Sequence, residues 1–114
     1  IHDNVAPLQG EAFIQKNFPN SFRNTPLLDH LRSGGIDHVM IVGMMTHMCV
    51  DATTRAAFDH GLQCTVVSDA CATRTLNFKG KAVPAEQVHA AFLAALNGVY
   101  AKVVSAEDLI SSLP

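Results

Sequence analysis

The sequence has no C-x-x-C pair, and its three cysteines, Cys49, Cys64 and Cys71, make an odd number. The odd count and the missing pair argue against both a disulfide framework and a zinc ribbon, so reduced thiols are the simpler expectation. Charge is scarce as well: charged residues are 16% of the chain and the formal net charge is −2. Without a broad basic field, nucleic acid is excluded as a partner. No apolar run approaches the roughly 20 residues that a membrane span needs, and no charged-then-apolar leader opens the chain. These absences point to a soluble, cytoplasmic protein with no membrane partner. There is also no internal repeat and no low-complexity linker. Finally, the chain opens on Ile1-His2-Asp3 without a methionine, so Ile1 is not expected to be the first residue of the gene product.

What is present is apolar: 48% of the 114 residues are hydrophobic, enough for one core and too short a chain for two ordinary ones. Ala12-Phe13-Ile14-Gln15 is a short extended candidate that runs into Lys16 and a turn-rich stretch. Thr25-Pro26 has the pattern of an N-cap followed by proline at the first helical position, with Leu27, Leu28 and Leu31 on one face and Gly34-Gly35 as the stop. His38 to Met44 is nearly continuous in apolar, β-branched residues, the pattern of a strand covered on both faces. Val50, Thr54, Ala57 and Phe58 then recur at helical spacing up to Gly61. Cys64 to Ser68 reads as a second buried strand, followed by a polar loop from Asp69 through Gly80. Val88, Ala91, Phe92, Ala95, Leu96 and Val99 keep an i, i+3, i+4, i+7 rhythm. Lys102-Val103-Val104 is a last short strand, and Ser105 with Asp108 resembles a capping box. Strands separated by helices of this length predict an α/β fold with a parallel sheet and helices on both faces.

In such sheets ligands bind beyond the carboxyl ends of the strands, and Gly43-Met44-Met45-Thr46-His47-Met48-Cys49-Val50 lies at that junction. A helix N-terminus there offers unpaired N–H groups and a positive dipole end, both of which favour thiolate over thiol. Position alone leaves two readings of Cys49 open, a nucleophile or a small buried hydrophobe. Cys64 reads as packing, and Cys71 as a residue that borders a cleft without doing chemistry. His47 and Cys49 form an H-x-C pair without a second pair at ligand spacing, too little for a metal site. Lys16 is recommended only by its place at the end of an extended segment. His89 sits inside the helical pattern and needs no function.

The stretch Gly43 to Ala57, preceded by Lys16 and Phe18-Pro19-Asn20-Ser21-Phe22 and followed by Val67-Ser68-Asp69-Ala70-Cys71-Ala72, resembles the isochorismatase-like cysteine hydrolases. The resemblance covers nearly the whole chain. It implies a three-layer α-β-α, Rossmann-like fold with a six-stranded, mostly parallel sheet, and a catalytic Asp, Lys and Cys. Cys49 and Lys16 match two of the three. The resemblance further implies a cis Met44-Met45 peptide and an oxyanion hole made by the N–H groups of Met45 and Cys49. The reaction implied is hydrolysis of an amide or related carbonyl–nitrogen bond in a small molecule through a thioester, with no cofactor and no metal ligand within these residues. The third member, an Asp on the family's first strand, has no match: Asp3, Asp37, Asp51, Asp59 and Asp69 all differ in context, and Asp69 is expected to pair with Arg55. Residues 1–114 are therefore expected to be the C-terminal part of a hydrolase domain, with N-terminal strands missing and the isolated chain inactive. A homo-oligomer, or association with the missing N-terminal segment, is the partner expected besides substrate. The alternatives are a non-catalytic chain acting as an interaction or structural piece, and a redox role for Cys49.

Overall fold

The computed structural model describes residues 1–114. Helix α1 spans Leu27–Ser33, one residue later than the sequence suggests, with Pro26 at the cap position and the Thr25 hydroxyl accepting from the Leu27 N–H at 3.4 Å. Its end follows the glycines: the Gly34 N–H donates to the His30 carbonyl at 3.2 Å and the Gly35 N–H to the Arg32 carbonyl at 3.0 Å, and Gly35 turns the chain away at φ +65°, a conformation that costs glycine little. Strand β1 follows at His38–Met44, then a wide helical turn at Thr46–Val50 that runs straight into α2 at Asp51–Asp59. Strand β2 is Gln63–Ala72, the hairpin strands β3 and β4 are Leu76–Phe78 and Lys81–Val83, and α3 is Ala85–Leu96. Strand β5, Lys102–Val104, and helix α4, Ala106–Ser112, complete the chain.

The main sheet has the order β1-β2-β5, with both pairings parallel, as the alternation of strands and helices requires. Cys64 and Val66, two residues apart and therefore on one face of β2, join Ala57 of α2 and Leu93 and Leu96 of α3 in the core cluster. Val66, Ala57 and Leu96 are wholly excluded from solvent. Burial of a Val or Leu side chain contributes roughly 1.5–3 kcal/mol each, so this seam holds both helices on the sheet. From β1, Val39 and Ile41 pack against the same cluster.

Three expectations about elements need correction. Ala12–Gln15 forms no strand, because an extended segment becomes one only by pairing, and β1 pairs with β2 alone. Strand β1 is covered on one face only: Met40, Val42 and Met44 alternate with the packed residues and are 58%, 58% and 66% exposed. The segment Asp69 to Gly80 is not a plain loop. Strand β2 continues to Ala72 past a break in register, where Ile41 faces Val66 but Gly43 faces Cys71, so Val67 to Ala70 bulge opposite Val42. The hairpin then turns at Lys79 and Gly80, at φ +49° and +77°. Two consecutive positive φ values are what a tight two-residue hairpin turn demands.

Candidate active site

At the carboxyl end of β1 the chain passes through a cis peptide between Met44 and Met45 and enters the turn Thr46–Val50. This turn is wider than an α-helical one: the Met45 carbonyl accepts from Met48 N–H at 3.0 Å and from Val50 N–H, five residues on, at 3.3 Å. Cys49 therefore lies within the first turn of a helix that continues as α2, rather than ahead of it. The Thr54 hydroxyl donates to the Val50 carbonyl at 2.7 Å and ties the turn to α2. The Met45 N–H makes no backbone hydrogen bond.

Lys16 is brought to this turn from far away in sequence. Its Nζ donates to the carbonyls of Phe18 at 2.9 Å and Pro19 at 3.2 Å, and reaches Cys49 Sγ at 3.3 Å. The Phe18–Phe22 loop is pinned in turn by α2: Ser21 N–H donates to Thr53 Oγ1 at 3.0 Å, and the Thr53 hydroxyl lies 3.2 Å from the Pro19 carbonyl. Two fixed carbonyls thus aim the ammonium at the sulfur. A cleft of about 190 Å³ opens here, lined by Lys16, Ser21, Gly43, Met44, Cys49 and Thr53.

A larger concavity, about 650 Å³ around Phe58, Gly61, Tyr100 and Lys102, lies at the opposite end of the sheet, beside the first residues of β2 and β5. Its only thiol is Cys64, which is buried. Chemistry rather than size therefore marks the smaller cleft as the site. Burial pushes the Cys64 thiol pKa up. Burial also raises that of Cys71, assisted by the charge of Asp69 and partly countered by a hydrogen bond from the Gly43 backbone.

The remaining polar residues sort by their contacts. His47 does not join Cys49 as a ligand pair, since its Nδ1 meets the Thr73 hydroxyl at 2.6 Å. The expected Asp69–Arg55 pair is corrected. Asp69 Oδ1 accepts from the Ala106 N–H at 2.8 Å, capping α4, while Arg55 pairs with Asp51 one helical turn back at 3.1 Å. Partial burial works against the Arg55 charge, but its interactions with the Asp51 carboxylate and, after it, the Tyr100 hydroxyl more than offset this, so its pKa is raised; the guanidinium also lies over the Tyr100 ring, 4.5 Å from its centroid. No Asp or Glu carboxylate bonds to Lys16, whose partners are the two carbonyls and the thiol.

One residue set aside in the sequence is drawn into the site. His89 of α3 reaches across with Nδ1 2.9 Å from the Thr46 hydroxyl and Nε2 3.1 Å from the Ser68 carbonyl. Its spacing within an apolar helix gave no cue; the signal lay in Thr46, a polar residue in a turn otherwise made of apolar side chains, His47 excepted.

Residues 1–108 match the isochorismatase domain family. The chain is 55% identical over 110 residues to the uncharacterized isochorismatase family protein YddQ of Bacillus subtilis, covering 96% of this chain and 61% of that one. It is 30% identical over 114 residues to nicotinamidase 3 of Arabidopsis thaliana, covering 96% and 52% respectively. Among solved structures, a provisionally assigned isochorismatase hydrolase of Oleispira antarctica superposes with a TM-score of 0.95 at 54% identity, covering 98% of this chain and 59% of that one. The chain thus spans between half and two thirds of the length of these relatives. Fold, motif and domain match agree: the chain belongs to the isochorismatase family.

Proposed function

We propose that this chain carries the nucleophilic half of a hydrolase for an amide or related carbonyl–nitrogen bond of a small molecule. The contact between Lys16 Nζ and Cys49 Sγ at 3.3 Å, with the ammonium anchored on two backbone carbonyls, is the observation that carries the reading. The thiolate attacks the substrate carbonyl carbon and forms the C–S bond, and the carbonyl oxygen takes up the negative charge. The N–H groups of Met45 and Cys49 are the donors assigned to that oxygen. Collapse of the tetrahedral species breaks the C–N bond, and the nitrogen leaves with an added proton. Water then attacks the thioester, releasing a carboxylate and the thiol. No carboxylate of this chain contacts the lysine or the thiol, so the proposal assigns proton transfer to a group outside Ile1–Pro114. The kinship with a nicotinamidase supports amide chemistry over other hydrolyses.

The test is ammonia release from a panel of small primary amides, nicotinamide included, by the full protein. Cys49→Ala should abolish turnover while leaving the circular dichroism spectrum unchanged. Undiminished turnover in that variant would end the mechanism.

A second reading rests on a separate observation, the open face of β1 formed by Met40, Val42 and Met44. An apolar strand with an unpaired edge binds polypeptide readily, so this surface is proposed to take another chain segment or a second copy. The two readings are compatible.

A further inference from the structure

We propose that His89 is a positioning residue for the nucleophile, acting through Thr46; the inference rests on the reading of Cys49 as that nucleophile. The Ser68 carbonyl can only accept, so the proton of the neutral His89 ring sits on Nε2 and is donated there at 3.1 Å. That leaves Nδ1 as an acceptor, and at 2.9 Å it takes the hydrogen of the Thr46 hydroxyl. Ser68 is itself fixed, since its hydroxyl donates to the Val104 carbonyl of β5 at 3.0 Å. The ring therefore bridges a rigid point of the sheet to the first residue of the turn that presents Cys49.

Thr46 has no exposure to solvent, so water cannot replace this partner. The hydroxyl also sits directly after Met45, whose carbonyl accepts the two hydrogen bonds that shape the turn. Holding Thr46 fixes the start of the turn, and with it the distance from Cys49 Sγ to the lysine and the direction of the local N–H groups. Helix α3 makes a second contact with the same turn: Phe92 meets the His47 ring edge-on at 6.0 Å between centroids. That packing contact keeps α3 against the turn when the hydrogen bond is removed, so the role of the hydrogen bond can be tested by itself.

The geometry makes two conservative substitutions unequal. In His89→Asn the amide oxygen takes the place of Nδ1 and still accepts from Thr46, whereas in His89→Gln the polar group reaches toward Ser68 and leaves Thr46 without a partner. Thr46→Val removes the hydroxyl from the other side at nearly constant volume. The readout is the rate at which iodoacetamide labels Cys49 in the full protein at neutral pH, with labelling of buried Cys64 as a measure of general opening. Expected are a slowing of Cys49 labelling by about tenfold in His89→Gln and in Thr46→Val, no further slowing in the double variant, and a rate within about threefold of the parent in His89→Asn. Cys64 labelling should stay at the parent rate throughout. The proposal is overturned if Thr46→Val and His89→Gln label Cys49 like the parent, or if His89→Asn is as impaired as His89→Gln. It is equally overturned if the variants expose Cys64 in step, since that is the mark of a purely structural residue. Labelling needs no substrate, so its outcome is separate from that of the ammonia-release assay.

Discussion

At the scale of single residues, the pair that carries the proposed chemistry is divided between a legible and an illegible part. Cys49 is flagged by its place between a strand's end and a helix's start, because that junction is where α/β sheets expose backbone donors, although position alone left a buried hydrophobe equally open until the family resemblance favoured the nucleophile. Lys16 cannot be found that way. Nothing in a lysine after an extended segment says that it will reach a thiol 33 positions on, and only the family resemblance pointed to it. The two should also differ in consequence. Lys16→Met removes the ammonium 3.3 Å from the sulfur but no atom that bonds to substrate in the proposed reaction, so turnover should fall about tenfold and not vanish. Steady-state kinetics beside Cys49→Ala checks this, and equal loss in both variants would show that the lysine does more than stabilise charge. His89 and Thr46 were hidden for a different reason: their bond joins residues 43 positions apart and obeys no local pattern.

At the scale of elements, the signals that held were those with a local cause. Ser105 and Asp108 announce a capping box, and in the fold Ser105 Oγ accepts from the Asp108 N–H at 3.0 Å while donating to its carboxylate at 2.8 Å. Ser105→Ala should cost about 1 kcal/mol, read as a lowered urea midpoint with an unchanged slope. A loss near zero would mean that the Asp69 contact to the Ala106 N–H alone secures the helix start. The hairpin Leu76–Val83 was missed because its turn is Lys79-Gly80, and lysine rarely takes the left-handed conformation that asparagine or aspartate would have advertised. The continuation of β2 to Ala72 was missed because Ser68 and Asp69 read as the polar end of a strand, although a bulge carries the pairing past them.

For the whole molecule, composition and alternation pointed correctly to an α/β fold with a parallel sheet, because both follow from how helices must cover such sheets. What covers each face was not legible. The apolar run of β1 reads as buried on both sides, yet Met40, Val42 and Met44 stand open. A surface of this kind drives association, so the 114-residue chain should scatter light as more than a monomer, and Val42→Lys should shift it toward monomer. A monomeric parent chain would remove the second reading of function. No helix is long and apolar enough to cross a membrane.

The central claim is that Cys49, set in its turn and faced by Lys16, is the nucleophile. Competitive labelling of the folded protein with limiting iodoacetamide near pH 7, followed by peptide mapping, tests it most directly. Cys64 and Cys71 have thiols pushed above the ordinary range by burial. A raised thiol pKa means a smaller thiolate fraction at any pH below it, and the thiolate is the species that reacts. The Cys49 peptide should therefore carry most of the label, with Cys64 and Cys71 gaining on it only as the solution is made alkaline. Faster labelling of Cys64 or Cys71 than of Cys49 at neutral pH would contradict the account.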